Sequence, residues 1–282
     1  MNADRYCVMG NPVEHSRSPW IHARFAQLTG EAVEYGRRLV PIQPGEFARQ
    51  VQAFRAEGGK GCNVTVPFKF DAAALATRAS PRAQLAQACN TLRFEADGSV
   101  FGDNTDGVGL VTDIATNAGV PLAGRDLLLV GAGGAAAGVL GLLIEARPAH
   151  IAVANRTTDR AAQLIARHES LARREGVRLA ASGLDVAGSF DVVVNATATS
   201  LHGAGVPVPA SVLRPGALAY DMMYGAAARG FLDWAQAHGA AARDGLGMLV
   251  EQAAESFQVW RGVRPPAAQV LGELREKVEA GE

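Results

Sequence analysis

With 282 residues, the chain is long enough for one large domain or two medium-sized domains. A hydrophobic fraction of 48% and a charged fraction of 20% are typical of a globular protein with a substantial apolar core. The net charge of −1 provides no long-range field to attract nucleic acid or an anionic membrane, so neither is expected as a partner.

The three cysteines, Cys7, Cys62 and Cys89, lie far apart, with no CxxC pair and no histidine at metal-ligand spacing. This pattern predicts a reducing compartment, no disulfide framework and no metal site. The first residues lack the basic and apolar regions of a signal peptide. No apolar run reaches the roughly 18 residues that a membrane span needs. We therefore expect a cytoplasmic protein.

Strands and helices alternate along the first hundred residues. Ser18 is expected to cap a helix that has Pro19 at its first position and ends at Gly30. Strands are predicted at 4–10, 33–40 and 62–66, the last ending at Pro67, and helices at 18–29, 46–57 and 68–90 with a break at Ser80-Pro81. The alternation predicts an α/β fold with a mostly parallel sheet.

A second α/β series follows a predicted hairpin at Asp97-Gly98 and a linking helix at 107–117. Strands are predicted at 126–130, 151–154, 191–194 and 217–220, and helices after the first strand, at 158–174 and at 231–238. This order is that of a Rossmann domain. Two further helices are expected in the last forty residues, separated by Arg264-Pro265-Pro266.

A glycine-rich turn joins the apolar strand 126–130 to the helix that follows it. Gly131 permits a tight turn, Gly133 leaves room for a pyrophosphate at the helix N-terminus, and Ala136 is small enough for helix–strand packing. The strand before the turn and the βαβ pattern after it favour a dinucleotide site over an ordinary strand–helix turn.

The end of the next strand indicates which dinucleotide is bound. An NAD site has an acidic residue there for the ribose 2′-hydroxyl. This chain has Asn155-Arg156-Thr157 instead, and Arg160 lies one turn further on. Two guanidinium groups suit a 2′-phosphate, so NADP is favoured. The alternative is that Arg156 and Arg160 are ordinary solvated surface charges. Cations at a helix N-terminus oppose the helix macrodipole, however, which favours an anionic partner for them.

Several residues of the first half are candidates for chemistry but are ambiguous when taken singly. Lys69 follows a strand between Phe68 and Phe70, an environment that suits either an acid–base lysine or a surface residue. Asp106 precedes Gly107, as many turn aspartates do. Ser16 and Ser18, at a helix start, suit a small-molecule carboxylate as well as helix capping.

Taken together, these segments resemble the shikimate dehydrogenase family almost from end to end. The matching segments in chain order are 10–12, 15–19, 63–69, 89–91, 102–107, 131–136, 155–157, 195–197, 220–224 and 245–249, followed by Gln252-Ala253. The resemblance implies NADPH-dependent reduction of 3-dehydroshikimate to shikimate, a step toward aromatic amino acids. It also implies a substrate-binding and catalytic domain of residues 1–105, completed by 241–282, and an NADP-binding Rossmann domain of residues 106–240.

The family's site residues can be placed on matching positions of this chain. Lys69 corresponds to the catalytic lysine and Asp106 to its partner. The residues that bind the substrate carboxylate correspond to Ser16, Ser18 and Tyr224. Those around the ring hydroxyls correspond to Thr65, Asn90, Asp106 and Gln252. The NADP site is expected to comprise Gly131, Ala132, Gly133, Gly134, Ala135, Asn155, Arg156, Thr157 and Arg160, with Met222 and Gly245 near the nicotinamide. A monomer or a homodimer is compatible with the resemblance.

Two departures and two alternatives accompany this interpretation. Ala137 replaces a usual arginine, which predicts weaker cofactor binding, and Arg229-Gly230 replaces a usual Thr-Pro pair, which leaves the local loop geometry open. A broader-specificity shikimate/quinate dehydrogenase would tend to have an acidic residue at Asn155 and threonine at Ser18. A non-catalytic NADP-binding sensor would not need both Lys69 and Asp106.

Overall fold

A computed structural model describes residues 3–197 and 206–281 of the chain. The chain divides into two compact units, one formed by Met1–Gly109 with Leu249–Glu282 and the other by Leu110–Met248. Among the described residues, no helix combines the length and the apolar character required to cross a membrane.

The first unit is built on a six-stranded sheet with helices on its connections. Its elements in chain order are β1 (Asp4–Gly10), α1 (Ser18–Thr29), β2 (Val33–Leu39), α2 (Glu46–Ala56), β3 (Gly59–Val64), α3 (Lys69–Leu75), β4 (Arg78–Ala79), α4 (Pro81–Ala86), β5 (Thr91–Phe94) and β6 (Val100–Asp103). The strand order is β2-β1-β3-β5-β6-β4, with β5 antiparallel to both its neighbours and the other pairs parallel. The predicted mostly parallel sheet and the hairpin at Asp97-Gly98 are confirmed.

The second unit contains a fully parallel sheet. Helix α5 (Asp106–Thr112) continues into a π-helical turn, Asp113–Asn117, and leads to this unit. The further elements are β7 (Asp126–Val130), α6 (Gly134–Glu145), β8 (His150–Ala154), α7 (Thr158–Glu175), β9 (Arg178–Ser182), β10 (Phe190–Asn195), β11 (Leu213–Asp221), α8 (Arg229–Ala237) and β12 (Ala241–Arg243). The order β9-β8-β7-β10-β11-β12 is the 3-2-1-4-5-6 order of a Rossmann fold, as predicted.

The chain ends in two helices, α9 (Leu246–Arg261) and α10 (Ala267–Glu279), as expected from the sequence. Within the first unit, α10 is joined to α1 by a bidentate ion pair in which Arg24 donates to Glu273 at 2.6 and 2.7 Å. Trp260 of α9 stacks on Tyr6 of β1 with ring centroids 4.5 Å apart. The C-terminal helices therefore complete the core of the first unit.

Several local predictions were wrong. Arg17 rather than Ser18 occupies the N-cap of α1, and no side-chain cap bond forms there. Strand β3 ends at Val64, before Pro67. The region 68–90 has helices on both sides of Ser80-Pro81, α3 and α4, but the first helix does not continue to the break, because Arg78–Ala79 pairs with β6 as a short strand. The edge strands β9 and β12 were not predicted. Three of the five residues of β9 and the first of the three residues of β12 are exposed, and neither strand has the apolar run that marks a buried strand.

The three cysteines are free and buried in the first unit. Desolvation raises the pKa of Cys7 and of Cys89 to about 12 and that of Cys62 well above its ordinary value. The thiols are therefore protonated at neutral pH and pack as small apolar groups.

A buried ion pair of the second unit fixes the start of α9. Asp113, with no exposed surface, accepts two hydrogen bonds from Arg243 at 2.6 and 2.9 Å and one from the Tyr220 hydroxyl at 2.8 Å. Burial, reinforced by the Asp113 carboxylate, raises the pKa of Tyr220 well above its usual range, so its hydroxyl stays a donor. A Cβ added at Gly247 would lie 1.9 Å from Asp113 Oδ1.

Replacing Gly247 by alanine is therefore expected to destabilise the protein by roughly 1–3 kcal/mol, the usual cost of overpacking a core. The Asp113 carboxylate cannot move aside without weakening its bonds to Arg243 and Tyr220. The measurement is the free energy of unfolding from urea denaturation. Gly272→Ala is the matched control because Gly272 lies inside α10 with open space at its Cβ position. Alanine should be neutral or slightly stabilising there. Equal stabilities of the two variants would show that the Asp113 site can relax.

Candidate active site

The centre of the first unit's candidate site is an ion pair between Lys69 and Asp106. Lys69 is the first residue of α3 and Asp106 the first residue of α5, and Lys69 Nζ donates directly to Asp106 Oδ2. The two side chains are only 15% and 6% exposed. Lys69 is therefore not a solvated surface lysine, which was the alternative left open by the sequence.

The local fold holds both partners of this pair in place. The Lys69 carbonyl accepts a hydrogen bond from the Cys89 backbone N–H at 2.8 Å. The preceding residue, Phe68, is buried and stacks on Phe47 with ring centroids 5.4 Å apart. Asp106 occupies the first turn of α5, where the helix dipole favours a carboxylate. Its backbone N–H donates to the Asn104 side chain at 3.2 Å.

Two amides predicted as substrate ligands are linked to the ion pair, Asn90 directly and Gln252 through Asn90. Asn90 Nδ2 donates to Asp106 Oδ1 at 2.8 Å and to Gln252 Oε1 at 3.1 Å. Gln252, on α9, is oriented by its own donation to the Leu249 carbonyl at 2.9 Å. The structure thus brings together four predicted site residues from distant parts of the sequence.

Ser16, Ser18 and Thr65 are organised by other contacts of the first unit. The Ser18 backbone N–H donates to Ser16 Oγ at 3.3 Å. Thr65 lies just beyond β3, and its backbone N–H donates to the Met9 carbonyl at 2.9 Å. A Cβ at Gly10 would lie 2.2 Å from Thr65 Cγ2, so Gly10 leaves the space that Thr65 occupies. The hydrogen bonds of the described residues do not connect these three residues to the Lys69 group.

Arg37 was not predicted as a site residue. Its guanidinium donates twice to the Ser16 carbonyl, at 2.6 and 3.2 Å, and so anchors the loop before α1. Arg37 lies on β2, an exposed edge strand with no motif in its sequence, so no local signal marked it.

The second unit contains the predicted dinucleotide turn between β7 and α6. Gly131 has φ +113°, and a Cβ there would lie 3.0 Å from the Ala196 carbonyl oxygen. Gly133 caps α6, and a Cβ there would meet no atom within 4 Å. Gly131 is therefore required by the turn, whereas Gly133 borders the open approach to the helix N-terminus. These features fit a bound pyrophosphate over the segment of Gly131, Ala132, Gly133, Gly134 and Ala135.

The predicted 2′-phosphate residues lie where β8 ends and α7 begins. Asn155 is fixed by its backbone bond to the Ser182 carbonyl at 3.1 Å and by its side-chain bond to the Thr157 carbonyl at 2.9 Å. Arg156 and Arg160 are exposed and form no ion pair with a described residue. Free cations beside a helix N-terminus fit an anionic ligand.

Met222 and Gly245 adjoin each other at the ends of β11 and β12. The Met222 backbone N–H donates to the Asn195 carbonyl at 3.0 Å, and the Gly245 N–H to the Met223 carbonyl at 2.8 Å. A Cβ at Gly245 would lie 2.3 Å from the Met222 carbonyl oxygen, so no larger residue fits. Tyr224, partly exposed, follows in the same segment.

The two departures from the family pattern, at Ala137 and at Arg229-Gly230, lie in helices α6 and α8 of the second unit. Ala137 is 1% exposed within α6, and it packs inside the unit. Arg229 and Gly230 are the first two residues of α8 and are exposed, so this helix begins without the usual proline. The described residues include no cluster of three or more His, Cys, Asp or Glu side chains suited to a metal ion.

Comparison with known proteins identifies three matching family models. The shikimate dehydrogenase substrate binding domain matches residues 8–92, the shikimate / quinate 5-dehydrogenase model matches 113–203, and the shikimate 5′-dehydrogenase C-terminal domain matches 245–275. The chain is 65% identical to shikimate dehydrogenase (NADP(+)) of Acidovorax sp. strain JS42 over 280 residues, which is 99% of this chain and 98% of that protein.

Solved structures are similar over nearly the whole chain. An Ael1 enzyme from Pseudomonas putida has 46% identity and a TM-score of 0.86, and the match covers 96% of this chain and 98% of that one. A shikimate 5-dehydrogenase from Thermus thermophilus, in complex with NADP(H) and shikimate, has 31% identity and a TM-score of 0.81, with coverages of 97% and 99%.

Proposed function

Because the chain belongs to the shikimate dehydrogenase family, we propose that it catalyses the reversible NADPH-dependent reduction of 3-dehydroshikimate to shikimate, a step toward aromatic amino acids. The observation that carries this proposal is the buried Lys69–Asp106 pair beside the Asn90 and Gln252 amides. We assign substrate binding and catalysis to the first unit, Met1–Gly109 with Leu249–Glu282, and NADP binding to the second unit, which includes β12.

NADPH, when bound, supplies a hydride to the ring ketone. Lys69 Nζ donates a proton to the developing alkoxide, and its positive charge stabilises that oxygen before the proton moves. The proton and the hydride together convert the ketone into an alcohol. In the opposite direction, neutral Lys69 accepts the hydroxyl proton as the hydride leaves.

Asp106 holds Lys69 in place and contributes to substrate binding. Its Oδ2 accepts from Lys69, while Oδ1 is held by Asn90 at 2.8 Å. Asp106 orients the lysine and accepts a hydrogen bond from the hydroxyl next to the ketone. Thr65, Asn90 and Gln252 bind further ring hydroxyls. Such a polar site discriminates strongly against analogues without hydroxyls, because its buried groups would then be left unpaired.

The substrate carboxylate is bound by the Ser16 and Ser18 hydroxyls. NADP is bound by the turn from Gly131 to Ala135 and by Asn155, Arg156, Thr157 and Arg160, with Met222 and Gly245 beside the nicotinamide. The exposed guanidinium groups of Arg156 and Arg160 and the neutral Asn155 side chain support NADP over NAD.

Quinate is the principal alternative substrate, because the family model that matches residues 113–203 is described as shikimate / quinate 5-dehydrogenase. The test is a set of initial rates for shikimate and quinate, each with NADP and with NAD. We expect the highest kcat/KM for shikimate with NADP. Comparable rates with quinate would identify a broader dehydrogenase, and no oxidation in any combination would favour a non-catalytic sensor.

A further inference from the structure

A second group of buried polar side chains lies directly behind Asn90 and Asp106 in the first unit. It consists of Asn63 on β3, Thr91 on β5, Thr105 before α5 and Ser256 on α9. Asn63 is 6% exposed and the three hydroxyl residues are completely buried. Buried polar groups need partners, so the pattern of bonds in this group is strongly constrained.

The Asn63 amide has only one satisfactory orientation. The Tyr35 hydroxyl donates to Asn63 Oδ1 at 2.7 Å, and burial raises the pKa of Tyr35 well above its ordinary value, which keeps the phenol a donor. On the other side, Asn63 Nδ2 donates to the Asn90 carbonyl at 3.1 Å, and a carbonyl can only accept. Nδ2 therefore also donates to Ser256 Oγ, which is 3.0 Å away.

The Asn90 amide is oriented by the same kind of argument. The backbone N–H of Thr105 can only donate, and it faces Asn90 Oδ1 at 2.9 Å. Nδ2 consequently faces the Asp106 carboxylate, which accepts at 2.8 Å. A flipped amide would place two donors against each other at Thr105 and two acceptors against each other at Asp106.

The hydroxyls of Ser256 and Thr91 connect the two amides. Their oxygens are 2.7 Å apart, and Thr91 Oγ1 is 2.9 Å from Asn90 Oδ1. With Ser256 donating to Thr91 and Thr91 donating to Asn90, each hydroxyl proton has an acceptor. The Ser256 hydroxyl also lies 3.0 Å from the Gln252 carbonyl, a longer contact than that to Thr91. Each group in the series Tyr35, Asn63, Ser256, Thr91, Asn90 then donates a hydrogen bond to the next, and Asn90 donates to Asp106.

We propose that Thr91 and Ser256 are positioning residues for the reaction, whose hydroxyls hold the Asn90 amide and, through it, the Asp106 carboxylate that holds Lys69. Neither hydroxyl is hydrogen-bonded to Lys69 or Asp106. This role rests on the proposed function of that pair. Small losses of alignment at a reacting group are costly, so the network affects turnover through geometry.

The test compares Thr91→Val with Thr91→Ser. Valine keeps the shape of threonine without its hydroxyl, whereas serine keeps the hydroxyl without the methyl group. We expect Thr91→Val to lower kcat for shikimate oxidation about tenfold, with an unchanged KM for NADP. Thr91→Ser should retain most of the wild-type kcat, even if the lost methyl group lowers its Tm. Equal losses in both variants, or losses that follow Tm alone, would overturn the proposal.

A double-mutant cycle with Ser256→Ala tests the connection between the hydroxyls. If both act through Asn90, the double variant Thr91→Val/Ser256→Ala should lose no more kcat than the worse single variant. If the factor by which kcat falls in the double variant equals the product of the two single factors, the two residues act independently. That result would also overturn the proposal.

Crystal structures of the Thr91 variants separate this proposal from the proposed function. We expect the Asn90 amide to be displaced or in two orientations in Thr91→Val and unchanged in Thr91→Ser. An undisturbed Asn90 in Thr91→Val would refute the positioning role even if the enzyme is active. A wild-type protein inactive on shikimate, together with a displaced Asn90, would refute the proposed function alone.

Discussion

Lys69→Ala is expected to lower kcat for shikimate oxidation by roughly 10²–10⁴-fold, the usual contribution of a positioned general acid or base. The variant has no group that accepts the hydroxyl proton, and it leaves the Asp106 carboxylate in a buried position without its cation. Water can replace the proton acceptor only inefficiently. The measurement is steady-state turnover with saturating shikimate and NADP.

Binding of NADP should be nearly unchanged in the same variant. The glycine turn and the arginines proposed to hold the cofactor belong to the second unit, whereas Lys69 belongs to the first. Titration of the protein with NADP, followed by fluorescence or calorimetry, provides this readout. It distinguishes the loss of one proton-transfer group from a general loss of structure.

Lys60→Ala is the matched control for charge and location. Lys60 lies on β3, nine residues before Lys69, but it is exposed and forms no ion pair with a described residue. It should keep wild-type kcat. If Lys69→Ala turns over at a rate comparable to that of Lys60→Ala, the acid–base role of Lys69 is wrong.

The Rossmann unit could be predicted from sequence because its signals are local. The run from Asp126 to Val130 is continuously apolar, as in buried parallel strands, and the turn that follows contains a glycine with a positive φ. The strands that were missed lack such signals. Strand β4 has two residues, and β12 has three, with the first of them exposed. Their conformation depends on pairing with neighbouring strands rather than on their own residues.

The start of α1 illustrates how a local rule can identify an element and misplace its end. Pro19 lies in the first turn and Gly30 ends the helix with φ 73°, both as expected. The N-cap is nevertheless Arg17. The Ser18 side chain is buried, and Ser16 Oγ accepts the Ser18 backbone N–H. The Ser16 hydroxyl thus accepts a backbone N–H at the start of the helix. A capping preference assigned to a single residue does not anticipate this contact.

The candidate site was only partly accessible to sequence reasoning, because its contacts join distant residues. The hydroxyl of Thr91 contacts that of Ser256 across 165 positions, and the Asn90 amide donates to Gln252 across 162. Motif spacing carries no information about such pairs. One weak signal existed, since Ser256 lies four residues after Gln252 and therefore on the same face of α9. The family resemblance supplied Lys69, Asp106, Asn90 and Gln252, and the structure added the Thr91 and Ser256 hydroxyls that contact Asn90 and each other.

Arg156→Ala is expected to weaken NADPH binding by roughly 10- to 100-fold, as expected for loss of charge-assisted hydrogen bonds worth about 1.5–3 kcal/mol. NADH lacks the 2′-phosphate and should lose little affinity. The ratio of the two dissociation constants therefore falls mainly because the Kd for NADPH rises. The measurement is Kd for both cofactors, together with kcat/KM for shikimate with NADP and NAD. Raising the ionic strength should reduce the wild-type preference, because Arg156 is exposed and screened by salt.

Arg173→Ala is the matched control because Arg173 is an exposed arginine in the last turn of α7, the same helix whose start follows Arg156. It removes an equal charge from the second unit, and the only ion pair lost among the described residues is a surface contact with Glu169 at 3.7 Å. It should leave both cofactors unaffected. An equal loss of NADPH and NADH in Arg156→Ala would place the side chain against a part common to both cofactors and remove the 2′-phosphate assignment. An equal effect of Arg173→Ala on NADPH would instead attribute the preference to the net charge of the unit.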